Sequence, residues 1–256
     1  MLTFVGLGLY DERSITVAGR DAVRSADRVF AEFYTSRLAG TTVERIEEYH
    51  DVTVEVRDRG GVEQRPGEIL DAAREDNVAF LTAGDAMIST THVDLRLRAI
   101  ERDIDTRVVH GTTAQTAASS LTGLQNYRFG KATTLPFEET HGGVPASVVE
   151  TVAENRERGL HTLVYLDITV DEDEERYMTG DVAAGLLAEP CDDPLGVVVG
   201  QAGSEDPTVA ADRLSALADR EFGPPLHLLV LPAAPHPLEA DALVELGGAP
   251  RTTVEN

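Results

Sequence analysis

The chain has 256 residues, 42% of them hydrophobic, which is enough to bury one large core or two modest ones. Its 45 acidic residues outnumber 22 basic ones for a net charge of −23, and Lys131 is the one lysine, so the surface repels phosphates and argues against nucleic-acid binding. A lone Cys191 excludes an intrachain disulfide and a cysteine-rich zinc site, and seven histidines without an HxxxH pair offer no spacing for another metal.

In chain order, apolar runs that read as strands alternate with amphipathic runs that read as helices. Residues 2–5 form the first strand-like run. Residues 14–26 carry a helical stripe at 15, 18, 22, 23 and 26, with Ser14 as the expected N-cap. Strands follow at 28–31 and 52–56, a helix at 67–75, a strand at 78–81, a helix at 91–102 and a strand at 107–109. This rhythm predicts an α/β domain with a largely parallel sheet. Small and hydroxyl residues fill 111–123, and the boundary is placed there, giving an N-terminal domain of 1–111 and a C-terminal domain of 112–256. The second half reads as helix 147–158 ended by Gly159, strand 162–168, helix 182–188, strand 197–199, helix 208–220, strand 226–231 and helix 237–246. The acidic run 171–175 lacks the spacing and glycine of an EF-hand and is expected to be a solvated loop. No apolar stretch approaches the roughly 20 residues of a membrane span. Met1 leads directly into a strand without a basic region or an apolar signal core, so the expected location is cytoplasmic. Arginine in place of lysine on an acidic surface fits adaptation to high salt. At about 1 M the Debye length is about 3 Å, and crowded carboxylates cease to repel one another.

Several strand ends carry loop chemistry. Gly6-Leu7-Gly8 opens like the dinucleotide fingerprint G-x-G-x-x-G, but Asp11 stands at the third glycine position. Glu32, after the second strand, sits where a ribose-binding acid would sit, which keeps an NAD-dependent dehydrogenase among the alternatives. Asp85, behind Gly84, reads either as a ligand for a ribose hydroxyl or an amine, or as a cap for a helix starting near Ile88. His92 reads as a core or capping histidine before it reads as a catalyst, His227 as a polar residue at a strand edge, and His236 as surface. No G-x-S-x-G elbow and no Walker loop is present. From the residues alone, the chain is a two-domain α/β protein with a small-molecule site at its strand ends.

The stretch Val5-Gly6-Leu7-Gly8-Leu9-Tyr10-Asp11-Glu12-Arg13 closely resembles the opening of diphthine synthases. So do Phe30-Ala31-Glu32-Phe33-Tyr34-Thr35-Ser36, Leu81-Thr82-Ala83-Gly84-Asp85, Ser89-Thr90-Thr91-His92, Gly159-Leu160-His161-Thr162-Leu163, Leu166-Asp167-Ile168, Gln201-Ala202-Gly203-Ser204 and Gly247-Gly248-Ala249-Pro250-Arg251. These stretches span nearly the whole chain and are far more specific together than one Gly-x-Gly. The resemblance implies two α/β domains of the tetrapyrrole methylase type with the cofactor in the cleft between them, in a homodimer. It implies an S-adenosylmethionine-dependent N-methyltransferase, releasing S-adenosylhomocysteine, that trimethylates the amino group of a 3-amino-3-carboxypropyl-histidine on translation elongation factor 2. A tetrapyrrole methyltransferase of the same fold is the alternative. Carried over by position, the cofactor contacts are Leu9, Asp85, Ile88, Thr113, Ala114, Leu166, Ala202 and His227. The family's Gly-Asp-Pro stands here as Gly84-Asp85-Ala86, and its Pro-Ser-Ile as Thr112-Thr113-Ala114. Gly6 and Gly8 are expected to let the backbone approach the cofactor near Leu9, and the proton that the amine must lose is expected to go to water or a nearby carboxylate, with no dedicated base. Asp85 is expected to serve cofactor affinity.

Overall fold

A computed structural model of the chain describes residues 1–170 and 175–255. It divides into two compact units, Met1–Thr113 together with Thr169–Glu175, and Ala114–Ile168 together with Arg176–Asn256. The division thus falls after Thr113, and the grouping of Thr169–Glu175 with the first unit has no counterpart in the sequence pattern. Of the acidic run expected as a loop, residues 171–174 lie outside the described residues.

The first unit contains β1 (Leu2–Gly6), α1 (Val17–Arg24), β2 (Arg28–Glu32), α2 (Val43–His50), β3 (Val54–Val56), a π-helical turn at Gly60–Gln64, α3 (Gly67–Glu75), β4 (Val78–Thr82), α4 (His92–Ile100) and β5 (Thr106–Val109). Its sheet runs β3-β2-β4-β1-β5, and every pairing is parallel. β1 and β4 are buried along their whole length, which explains their unbroken apolar sequences, since a parallel sheet is covered on both faces. Phe4, Phe30 and Phe80 pack with Ile69, Leu70 and Leu95 on one face; Val5, Val29, Ala79 and Leu81 pack with Val23 and Ile46 on the other. The first helix starts at Val17 and not near Ser14. Thr16 is its N-cap, accepting from the Gly19 amide at 3.1 Å, while the Ser14 hydroxyl is bonded to Asp11 Oδ1 at 3.1 Å within the preceding turn.

From Ala114 onward the chain forms α5 (Ala114–Thr122), a 3₁₀ turn at Asn126–Arg128, β6 (Thr133–Leu135), α6 (Glu138–His141), α7 (Ala146–Glu157), β7 (Thr162–Leu166), β8 (Ile168–Val170), β9 (Glu175–Tyr177), α8 (Gly180–Ala188), β10 (Leu195–Gly200), β11 (Thr208–Arg213), α9 (Leu214–Leu217), β12 (His227–Leu231), α10 (Pro237–Glu245) and α11 (Arg251–Val254), and all belong to the second unit except that Thr169 and Val170 of β8 and Glu175 of β9 group with the first. β8 and β9 pair with each other apart from the main sheet. That main sheet, β11-β10-β12-β7-β6, is mixed, with only β6 and β7 parallel. Two expectations are corrected here. Residues 208–220 are not one helix: Thr208–Arg213 pairs residue for residue with β10, and only Leu214–Leu217 is helical. Ala210, Ala211 and Leu214 satisfy a helical stripe and a strand face equally, and six ladder pairs decide for the strand. The strand from Thr162 stops at Leu166, because Asp167 turns the chain. Its Oδ2 accepts from the Phe137 amide at 3.1 Å, and its own amide donates to Leu135 O at 3.1 Å.

Candidate functional site

In the first unit the neighbouring strands β4, β1 and β5 deliver three loops to one edge of the sheet, at the carboxyl ends where parallel sheets place ligands. These loops carry Leu9, Asp85 with Ile88, and Thr113. Glycines sew them together. Gly8 and Gly84 exchange both backbone hydrogen bonds, at 3.1 and 2.7 Å. A Cβ on Gly6 would lie 2.5 Å from Gly84 O and 2.6 Å from Gly111 N, and one on Gly111 would lie 2.2 Å from Gly84 O. Gly8 has φ +82°, and a Cβ there would meet Ser14 O at 2.4 Å. The absence of side chains at Gly6 and Gly8 thus lets the protein's own loops close on one another at this edge. Ile88 stands out of this edge, 46% exposed.

Asp85 is buried, and its carboxylate accepts three hydrogen bonds from the chain. Oδ1 accepts from the Met87 amide at 2.9 Å; Oδ2 accepts from His110 Nδ1 at 2.8 Å and from the Gly111 amide at 3.2 Å. It caps no helix, since α4 begins only at His92. It ties the loop after β4 to the loop after β5. His110 was not among the residues read from the sequence, although it directly precedes Gly111-Thr112-Thr113 at a strand end.

Behind this edge lies a second acid. Glu32 is completely buried at the end of β2, accepting from the Tyr34 and Thr35 amides at 3.1 and 3.0 Å and from the Thr35 hydroxyl. Its Oε1 is 3.4 Å from Nε2 of the equally buried His92, whose Nδ1 donates to Ala86 O at 3.2 Å. Burial pushes the Glu32 carboxyl up, against the hydrogen bonds from Thr35 and Tyr34, and holds the His92 imidazole below its usual range. A carboxylate so enclosed cannot grip a ribose, and the dehydrogenase alternative loses its acid. His92 is the core histidine that the sequence suggested, bracing the Asp85 loop from beneath.

In the second unit the register assembles another group. Gly200 of β10 faces His227, and Leu228 faces Tyr165, so the end of β7 with Leu166, the start of β12 with His227 and the loop after β10 with Ala202 share one end of the sheet. β12 is central, not an edge strand, and His227 is buried. Its Nδ1 accepts from the Gly180 amide at 3.0 Å, so Nε2 carries the hydrogen; Nε2 is buried without a well-formed hydrogen bond. Burial holds this imidazole neutral. Ser204, two residues past Ala202, also has a buried hydroxyl without a partner. Ala114 opens α5, whose Ala118 packs under β10 and β12.

A third feature, outside the sequence expectations, is a hub around Glu239. This fully buried carboxylate accepts from the Gln125 and His236 amides at 3.0 and 2.8 Å, from His161 Nε2 at 3.1 Å and from the Arg128 guanidinium. Arg128 also donates to Gly159 O and Ala234 O, and His161 Nδ1 accepts from the Ala233 amide. One side chain thus fixes three loops. His236, expected as surface, is exposed, and its backbone amide joins the hub. Among the described residues, no three His, Cys, Asp or Glu side chains gather as a metal site, and no helix is long and apolar enough to cross a membrane.

The model of the tetrapyrrole (corrin/porphyrin) methylases matches residues 1–218. A diphthine synthase of Halorubrum lacusprofundi is 70% identical over the whole of both chains, and one of Methanosarcina acetivorans is 47% identical over 100% of this chain and 99% of its own. A solved diphthine synthase structure superposes with a TM-score of 0.90 at 36% identity, covering 99% of this chain and 98% of that one. The chain belongs to the tetrapyrrole methylase family, among its diphthine synthases, and is a methyltransferase.

Proposed function

We propose that this chain transfers methyl groups from S-adenosylmethionine to the amino group of a 3-amino-3-carboxypropyl-histidine on elongation factor 2, three in succession, giving diphthine. Full-length likeness to diphthine synthases carries the reading. The local structure suits the cofactor. Leu9, Asp85, Ile88 and Thr113 come from loops sewn to one sheet edge in the first unit; Leu166, Ala202 and His227 come from one sheet end in the second, near the start of the helix opened by Ala114. The buried N–H of His227 and hydroxyl of Ser204 lack well-formed partners and suit a polar ligand. Exposed Ile88 offers an apolar contact. The Asp85 carboxylate accepts from donors in both loops and so holds together the two loops that a ligand would meet.

The cofactor supplies an electrophilic methyl on a sulfonium, so the protein's main task is alignment, worth up to about 7–11 kcal/mol in favourable cases. The reading includes a homodimer in the cytoplasm. Val93, Leu97 and Ile100, about half exposed on one face of α4, form an apolar stripe suited to a second copy. Light scattering at high salt should give twice the 27.6 kDa chain mass, and monomer would remove the dimer from the reading. The substrate is tested in multimolar KCl with labelled S-adenosylmethionine and elongation factor 2 bearing the unmethylated intermediate. Three methyls on the modified peptide are expected. Cofactor binding without transfer would reject this substrate and direct the search to tetrapyrrole precursors.

A further inference from the structure

An ammonium has no lone pair for an incoming methyl, so the acceptor must lose a proton before each transfer. In the first unit His110 is built to take it. It stands one residue past β5, with Nδ1 2.8 Å from Asp85 Oδ2. The carboxylate accepts, so Nδ1 carries the hydrogen and Nε2, across the ring, holds the lone pair. Asp85 is itself immobilised by the Met87 and Gly111 amides, so the imidazole is oriented from a fixed point. The side chain is nevertheless 77% exposed. That separates it from His161, which is bound to the Glu239 carboxylate, and from His92, which lies beside Glu32, both sealed in the interior. A histidine serving only as a loop tie has no need to present its far nitrogen. A buried carboxylate fixing one ring nitrogen while the other stays open is how an imidazole base is presented to a substrate.

We propose that His110 is the general base of methyl transfer and Asp85 its positioning residue; this rests on the methyl-transfer reading above. The substrate ammonium gives a proton to His110 Nε2. The freed nitrogen lone pair forms the new N–C bond to the methyl, and the electrons of the breaking C–S bond return to sulfur, leaving a neutral thioether. The imidazolium passes its proton to water. A second and a third cycle each release one further proton, and the last product is a quaternary ammonium that needs no base.

The test compares wild type, H110N and H110A at high salt, with cofactor affinity by calorimetry and single-turnover transfer to modified elongation factor 2. Asparagine can still donate to Asp85 and keep the loops tied. We expect H110N to hold cofactor within about threefold of wild type while the transfer rate falls on the order of 10²–10⁴-fold. Added imidazole should restore transfer in H110A. Transfer by H110N within about threefold of wild type overturns the proposal. So does a loss of transfer that follows lost cofactor affinity and does not respond to imidazole, because His110 would then only tie loops. Wild type that binds cofactor but methylates nothing would instead reject the parent reading, and this one with it.

Discussion

Replacing Glu239 with glutamine keeps size and shape while removing the charge and one acceptor. Burial alone would raise this carboxyl, but the amides of Gln125 and His236 and the His161 ring outweigh it and hold the group at about 2, against an ordinary 4.5. At about 1.4 kcal/mol per tenfold change in proton affinity, that difference is worth about 3 kcal/mol. The geometry agrees. One carboxylate oxygen serves Gln125 and His161, and the other serves His236 and Arg128. Whichever way the amide is turned, its NH₂ confronts two buried donors. His161 cannot escape by moving its hydrogen, because its Nδ1 already accepts from Ala233. Two unsatisfied buried donors cost about 1–3 kcal/mol each, in line with about 3–5 kcal/mol for breaking a buried ion pair. The sign with pH follows. Since the folded value lies below the unfolded one, the stabilisation is complete above 4.5 and is lost as pH falls toward 2. Urea unfolding in multimolar KCl should therefore give E239Q a deficit of about 3 kcal/mol at neutral pH that shrinks steadily with acid. A deficit below about 1 kcal/mol at neutral pH, or one that does not change with pH, would refute the reasoning.

The same substitution at Glu32 should do the opposite. Burial raises that carboxyl, so the ionised form costs stability as pH rises through its folded value. E32Q can keep both amide acceptances while its NH₂ meets His92 Nε2, and in urea it should be neutral or more stable at pH 8, with no gain in acid. Gly111→Ala would press a methyl against the backbone of Gly84 and Gly6, costing about 3 kcal/mol in unfolding experiments and abolishing cofactor binding in calorimetry. Gly67→Ala, with nothing within 4 Å at the start of α3, should stabilise by about 0.4–1 kcal/mol. With −23 charges, the melting midpoint should rise from dilute buffer to multimolar KCl, and a higher midpoint at low salt would sink the assignment of a salt-adapted surface.

The parallel sheet of the first unit was legible because both its faces are covered, so β1 and β4 are written as continuous apolar runs. The second sheet was harder to read. β6 is three residues long, and β11 carries a pattern that a helix shares, so only pairing with β10 distinguishes them. The site divides along a similar line. A motif in one loop can be read locally, and the strand-end positions of Leu9, Asp85 and Thr113 were read that way. What those residues bind depends on which loops the sheet makes neighbours. At Gly6 a side chain would meet Gly84 and Gly111, because the order β4-β1-β5 places loops some 78 and 105 residues apart beside one another. The pairing of Asp85 with His110 is invisible for the same reason. Each residue alone reads as an ordinary polar group at a strand end. Only the shared edge turns them into a fixed carboxylate and an oriented, exposed imidazole, and with them a route for the proton that the sequence reading gave to water or a nearby carboxylate.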